Sequence, residues 1–176
     1  MLFEQTDLEG VLLVRPEVLA DERGFFARSF CAREFTARGL NGSVAQCSLS
    51  FNRKKGTLRG MHFQRPPCPE ARLVRCTRGA IYDVVLDIRA GSPTFRRWIA
   101  AKLDDRNRCA IYVPEGFAHG FQTLVGDTEV VYQMSEFYDP DAAAGVRWDD
   151  PAFAIRWPAA DRTISARDLG YPDFRW

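Results

Sequence analysis

The chain of 176 residues has two histidines, and each sits in a phrase suited to proton chemistry. His62 falls in Gly56-Thr57-Leu58-Arg59-Gly60-Met61-His62-Phe63-Gln64, and His119 in Val113-Pro114-Glu115-Gly116-Phe117-Ala118-His119-Gly120-Phe121. Imidazole is the side chain best placed to move protons near neutral pH. A lone histidine in an apolar strand is more often a hydrogen-bonded core residue. Here the Arg59-Gly60 step and the flanking glycines suggest loop ends or strands open to a ligand.

Arg59 and His62 are three residues apart, so a strict strand turns them to opposite faces, unless Gly60 allows a bulge that brings both to one cavity. His62 and Gln64 share a face. Arg72 is in phase with Val74 and Cys76, whereas Arg75 points the other way. Tyr132 shares a face with Val130 and Met134. Such an inward tyrosine is either a core residue with its hydroxyl tied to a carbonyl or a proton donor. A metal site is disfavoured: His62 is followed by Phe63 and Gln64 with no second histidine two residues on, and one histidine with distant carboxylates is a poor zinc or iron set.

The elements that must position these residues are short strands cut by turn residues. Strands are expected at Gly10 to Val18, Phe25 to Phe30, Leu73 to Gly79, Ala80 to Ile88, Trp98 to Leu103, Cys109 to Val113, Gly120 to Leu124 and Glu129 to Phe137. Turns fall at Ala20 to Gly24, Asp104 to Asn107 and Val125 to Thr128. Along Ala80 to Ile88, Tyr82, Val84, Leu86 and Ile88 share one side, and Asp83, Val85 and Asp87 the other. Arg33 to Leu40 is the best helix candidate. Regular strand spacing without intervening helices favours an antiparallel sandwich or barrel. The tail after Asp139 is expected to wrap that barrel, with Trp148, Trp157 and Trp176 covering core edges.

The length suits a single domain spanning residues 1–176. With 24 Lys and Arg against 23 Asp and Glu, the net charge of +1 gives a nucleic-acid role no global electrostatic support. Arginine far outnumbers lysine, which suits a phosphate or carboxylate ligand and equally reflects genomic composition bias. The five cysteines (Cys31, Cys47, Cys68, Cys76, Cys109) show no Cys-x-x-Cys spacing, so reduced thiols in a cytoplasm are expected. No signal peptide and no membrane-spanning stretch is expected.

Several motifs together resemble the dTDP-4-dehydrorhamnose 3,5-epimerase family. They are Gly56-Thr57-Leu58-Arg59-Gly60-Met61-His62, Asp83 to Phe95, Pro114-Glu115-Gly116-Phe117-Ala118-His119-Gly120-Phe121, Arg147-Trp148-Asp149-Asp150-Pro151 and Ile155-Arg156-Trp157-Pro158, in order along Gly10 to about Tyr171. The resemblance implies an all-β, cupin-type antiparallel jelly-roll barrel with a few short helices, metal-free and cofactor-free chemistry on a nucleotide-diphosphate keto sugar, and a homodimer. It makes His62 the base, Asp168 its partner and Tyr132 the acid on the opposite face. Arg23 and Arg59 match diphosphate-binding arginines, and Gln46 and His119 other substrate contacts. Tyr138 matches the aromatic that stacks on the base, Phe26 lies in the base-site strand, and Arg167 beside Asp168 joins the substrate-contacting set.

Departures from the family pattern cluster around the substrate. Arg72 stands where the family usually has a lysine beside the sugar ketone, Arg28 where it has a glutamate at the base, Ala143 where it has a second glutamate, and Ser48 where it has an asparagine. These leave two readings of the substrate, a conserved thymidine sugar or a different nucleotide or sugar. Single-centre epimerisation, ketoisomerisation and sugar-nucleotide binding without turnover are the alternatives to double epimerisation.

Overall fold

Alternating apolar residues are realised as two antiparallel sheets that face each other across a shared core in a computed structural model describing residues 1–175. One sheet runs β1 (Leu2–Gln5), β2 (Leu12–Arg15), β10 (Ala110–Val113), β7 (Arg72–Arg78), β12 (Thr128–Met134), β5 (Gln46–Asn52). The other runs β13 (Ala143–Gly145), β6 (Leu58–Gln64), β11 (Phe117–Thr123), β8 (Ala80–Asp87), β9 (Trp98–Asp104). A separate hairpin joins β3 (Val18–Asp21) to β4 (Gly24–Ala27), and two short helices, α1 (Ala32–Thr36) and α2 (Ala166–Leu169), complete the architecture. This is the jelly-roll expected of a cupin-type barrel.

The core between the sheets takes the in-phase side chains of both: Val74, Cys76, Ile111 and Val130 from one, Ile81, Val85, Phe117 and Phe121 from the other. Tyr132 packs against this cluster. The outer face of the five-stranded sheet carries Met61, Val84 and Leu86 under Phe153, Ile155 and Trp157 of the tail. On the six-stranded sheet, Leu12, Val14 and Leu73 pack with Phe35 of α1. The tail therefore wraps the barrel as expected. Trp157 donates to the Trp148 carbonyl at 2.9 Å, and Trp176 lies outside the described residues.

Several boundaries differ from expectation. The run Gly10 to Val18 is cut by Pro16, which cannot donate to a ladder, into β2 and β3. The turn expected at Ala20 to Gly24 shrinks to Glu22-Arg23, because Gly24 accepts a φ of +128° and starts β4 at once. The helix expected over Arg33 to Leu40 runs only Ala32–Thr36, and the Leu40 amide closes back on the Phe35 carbonyl at 3.1 Å. The strand expected from Gly120 begins at Phe117, so His119 sits within a ladder rather than at its end.

Candidate active site

Residues of both sheets line a cavity of about 300 Å³. Its floor is His62, His119, Tyr132 and Phe121, and its walls include Arg59, Glu70, Arg72 and Ser48. Tyr138 and Arg167 stand at the rim. Among the described residues no three of His, Cys, Asp and Glu cluster as metal ligands, and no helix is long and apolar enough to cross a membrane.

Strand pairing explains why the histidines meet. His62 of β6 is directly opposite His119 of β11, and opposed residues in an antiparallel pair project from the same face. Two steps on, the register shifts, so that Phe121 opposes Arg59. A side chain at Gly60 would bring its Cβ to 2.6 Å from the Gly120 Cα, so both glycines are needed for this close approach. Across the irregularity, Arg59 and His62 both line the cavity despite their three-residue spacing. Arg59 is held by the buried Asn52, whose Oδ1 accepts from its Nε at 2.8 Å.

His62 Nε2 is 2.7 Å from Asp168 Oδ1. Asp168 is buried on α2, where Ser165 caps the helix by accepting from the Asp168 amide at 3.1 Å and the Gly60 amide donates to Asp168 Oδ2 at 3.3 Å. Burial alone would raise this carboxyl, but the hydrogen bond and charge of His62, together with the Gly60 amide and Ser165, outweigh it and hold Asp168 below the usual carboxylate range. An ionised carboxylate only accepts, so the neutral ring carries its proton on Nε2 and keeps a lone pair on Nδ1. The His62 side chain is 34% exposed, enough for a ligand to reach it.

His119 is paired differently. Its Nε2 lies 3.0 and 2.9 Å from the two oxygens of Asp83, on neighbouring β8, and both side chains are buried. Burial pushes the Asp83 carboxyl upward, with the His119 charge opposing it. The His119 ring meets Tyr132 edge-on, with centroids 6.2 Å apart. Tyr132 comes from the opposite sheet, on β12. Burial, reinforced by the Asp83 charge, pushes its hydroxyl far above the ordinary tyrosine range, so it stays protonated at neutral pH.

Of the other residues singled out in the sequence, Arg72 lies on the inner face with Val74 and Cys76, and Ser48, Tyr138 and Arg167 line the cavity. Gln46 acts one step back, accepting from the Tyr138 amide at 2.5 Å. Arg23, Phe26 and Arg28 are not brought to the cavity of their own chain. They lie on or just after the β3–β4 hairpin, with Arg23 bonded to Asp21, Phe26 exposed and Arg28 3.3 Å from Glu34. Glu70, Asn52 and the pairing of Asp83 escaped the sequence reading. For Asp83 a signal existed, because the two-residue period places its charge on an inward face. Gln64 shares a face with His62 in the sequence and supports the site from one step back. It binds the Cys68 and Phe137 carbonyls and accepts from the Asp139 amide, which ties together the loops around Tyr138.

Similarity to known proteins follows the same residues. The family model for dTDP-4-dehydrorhamnose 3,5-epimerase matches residues 5–175. A dTDP-4-dehydrorhamnose 3,5-epimerase from Sinorhizobium fredii is 39% identical over 173 residues, covering 98% of this chain and 89% of the relative. The crystal structure of the enzyme of that name from Elizabethkingia anophelis superposes with a TM-score of 0.95 at 34% identity, covering 99% of this chain and 96% of the other. A 3'-monoepimerase from Streptomyces bikiniensis, solved with dTDP-quinovose, superposes with a TM-score of 0.88 at 33% identity, covering 96% and 86%. With a family match over nearly its whole length and a barrel that superposes on solved members, the chain belongs to the dTDP-4-dehydrorhamnose 3,5-epimerase family and is an isomerase acting on a nucleotide-linked keto-deoxy sugar.

Proposed function

We propose that the protein epimerises a thymidine-diphosphate-linked 4-keto-6-deoxyhexose next to its ketone, with His62 as base and Tyr132 as acid, without a metal. The observation that carries this reading is the placement of the two groups on opposite sheets across one cavity: inversion needs a base on one face of the carbon and a donor on the other. His62 Nδ1 takes the proton, the C–H electron pair forms a C=C bond, and the ketone oxygen becomes an enolate. Tyr132 then returns a proton to the opposite face as the C=O bond re-forms. Solvent exchange resets the imidazolium and phenolate, so the net reaction is an isomerisation. Arg72 faces the ketone oxygen, and Arg59 the diphosphate. Tyr138 and Arg167 take the nucleotide end, with His119, Ser48 and Gln46 supporting the pocket. The donor set supports a metal-free site, because among the described residues no three of His, Cys, Asp and Glu come together as ligands.

The hairpin supports a homodimer. Leu19, Phe26, Leu49 and Phe51 are exposed apolar residues on the β3–β4 hairpin and on the sheet-edge strand β5, a combination that invites pairing with a second copy. In such a dimer the hairpin of one protomer meets the cavity of its partner, and Arg23, Phe26 and Arg28 complete the nucleotide site. The free thiols fit a reducing cytoplasm.

Incubation with a panel of 4-keto sugar nucleotides in deuterated water tests the reading. Deuterium at both C3 and C5 is expected for double epimerisation and at one carbon for a single-centre enzyme. Binding without exchange across the panel would replace the reading with a non-catalytic one. Sedimentation tests the dimer, and a wild-type monomer would remove it.

A further inference from the structure

Arg72 does not reach into the cavity as a free cation. Its Nε donates to Glu70 Oε1 at 3.0 Å, its Nη2 donates to the same oxygen, and its Nη1 donates to the His62 carbonyl at 3.0 Å. The two side chains are 12% and 7% exposed, and both line the cavity. The chain beside the carboxylate is itself anchored. Glu70 follows Pro69, and the backbone of the next residue, Ala71, makes two hydrogen bonds with Ser135: its amide donates to the Ser135 hydroxyl at 2.8 Å, and its carbonyl accepts from the Ser135 amide at 3.0 Å.

These contacts fix both the charge and the direction of the guanidinium. A guanidinium has five N–H groups, of which three are committed, leaving one on Nη1 and one on Nη2. Glu70 offsets the charge of Arg72. What remains is a rigid pair of donors tied to the backbone of His62, rather than a diffuse attraction for any anion. Donors fixed before the reaction stabilise a developing oxyanion without having to reorient.

We propose that Glu70 is a positioning residue: it holds Arg72 so that its two remaining N–H groups meet the substrate ketone oxygen in register with the His62 base. This rests on the epimerase reading above. It also assigns this chain a two-residue oxyanion device in which Glu70 acts only through Arg72.

The test uses the full chain and the variants E70Q, E70A, R72A and E70A/R72A. Three quantities are read: turnover of a 4-keto-6-deoxyhexose nucleotide, the Kd for thymidine diphosphate, and the thermal unfolding midpoint. Loss of one oxyanion donor costs about 10²- to 10³-fold in kcat, which is the loss expected for R72A. E70Q and E70A are expected to lose about 10-fold or more in kcat, because a misdirected donor forfeits part of that stabilisation. The double variant is expected to be no slower than R72A alone, with thymidine diphosphate binding unchanged throughout. E70Q preserves side-chain volume and stands in if E70A does not fold. Wild-type kcat in both Glu70 variants overturns the proposal, as does a double variant whose losses multiply or a matching loss of thymidine diphosphate affinity. Wild-type kcat in R72A removes Arg72 from the ketone and the proposal with it. A wild-type protein that turns over no 4-keto sugar nucleotide instead overturns the epimerase reading beneath both.

Discussion

His62 and His119 face each other on β6 and β11, and each places Nε2 against an aspartate, at 2.7 Å from Asp168 and 2.9 Å from Asp83. Their surroundings separate them. His62 is a third exposed, and its partner arrives from α2, 106 residues along the chain. His119 is sealed at 3% exposure, its partner lies on the adjacent strand, and both carboxylate oxygens crowd one nitrogen. The same two residue types therefore serve different ends. A pair open to the cavity offers a basic nitrogen to a ligand, while a sealed pair fixes the floor on which Tyr132 rests. Burial and the element that delivers the carboxylate make the difference, not the residue types.

The largest expected effect falls on the open pair. His62→Ala should lose about 10²- to 10⁴-fold in kcat, the range for a group that transfers a proton, with only about 1–2 kcal/mol of stability lost with the bond to Asp168. His119→Ala should show the reverse balance. Stranding Asp83 in the core should cost about 3 kcal/mol, lowering the unfolding midpoint by roughly 10 °C in a chain of this size, while kcat falls less than for His62→Ala. Calorimetry beside steady-state kinetics reads both, and equal kinetic losses in the two variants would erase the distinction.

Tyr132→Phe sharpens the contrast from the opposite sheet. Inversion should drop about 10²-fold, while His62 still exchanges the substrate hydrogen with deuterated water. Loss of exchange and inversion together would place Tyr132 in the first proton transfer instead. Asp168→Asn carries a similarly small effect on stability, about 1–2 kcal/mol at pH 7 for a hydrogen bond to a charged group. Because the folded carboxyl titrates below its unfolded value, its stabilisation is present above about pH 3.9 and fades as pH falls through the folded value. Urea unfolding of wild type and Asp168→Asn should therefore converge at acid pH. A difference that widens there would contradict the ionised Asp168.

Much of this arrangement was legible in the sequence, because strand periodicity is a local property. The phases of Arg72, Tyr132 and Asp83 follow from counting in twos. Gly60 marked the irregularity that brings Arg59 beside His62. Asp168 is a different case: its position against His62 depends on how the tail returns to β6, so only the family resemblance pointed to it. Glu70 and Asn52 carried no local signal, since a carboxylate after a proline-rich turn and an asparagine at a strand end are ordinary surface choices. The edge strands β5 and β13 were missed because each is completed by pairing to a distant strand rather than by its own pattern, and β1 because four residues show little alternation. The hairpin carrying Arg23 and Phe26 shows the converse, as its residues are recognisable in sequence but lie apart from the cavity of their own chain.

Solvent deuterium incorporation beside the substrate ketone, measured side by side in His62→Ala and His119→Ala with saturating substrate, tests the division between the two pairs most directly. Exchange should fall at least about 10²-fold in His62→Ala and stay within about 10-fold of wild type in His119→Ala. Wild-type exchange in His62→Ala, with exchange lost in His119→Ala, would contradict the account and make the sealed pair the base.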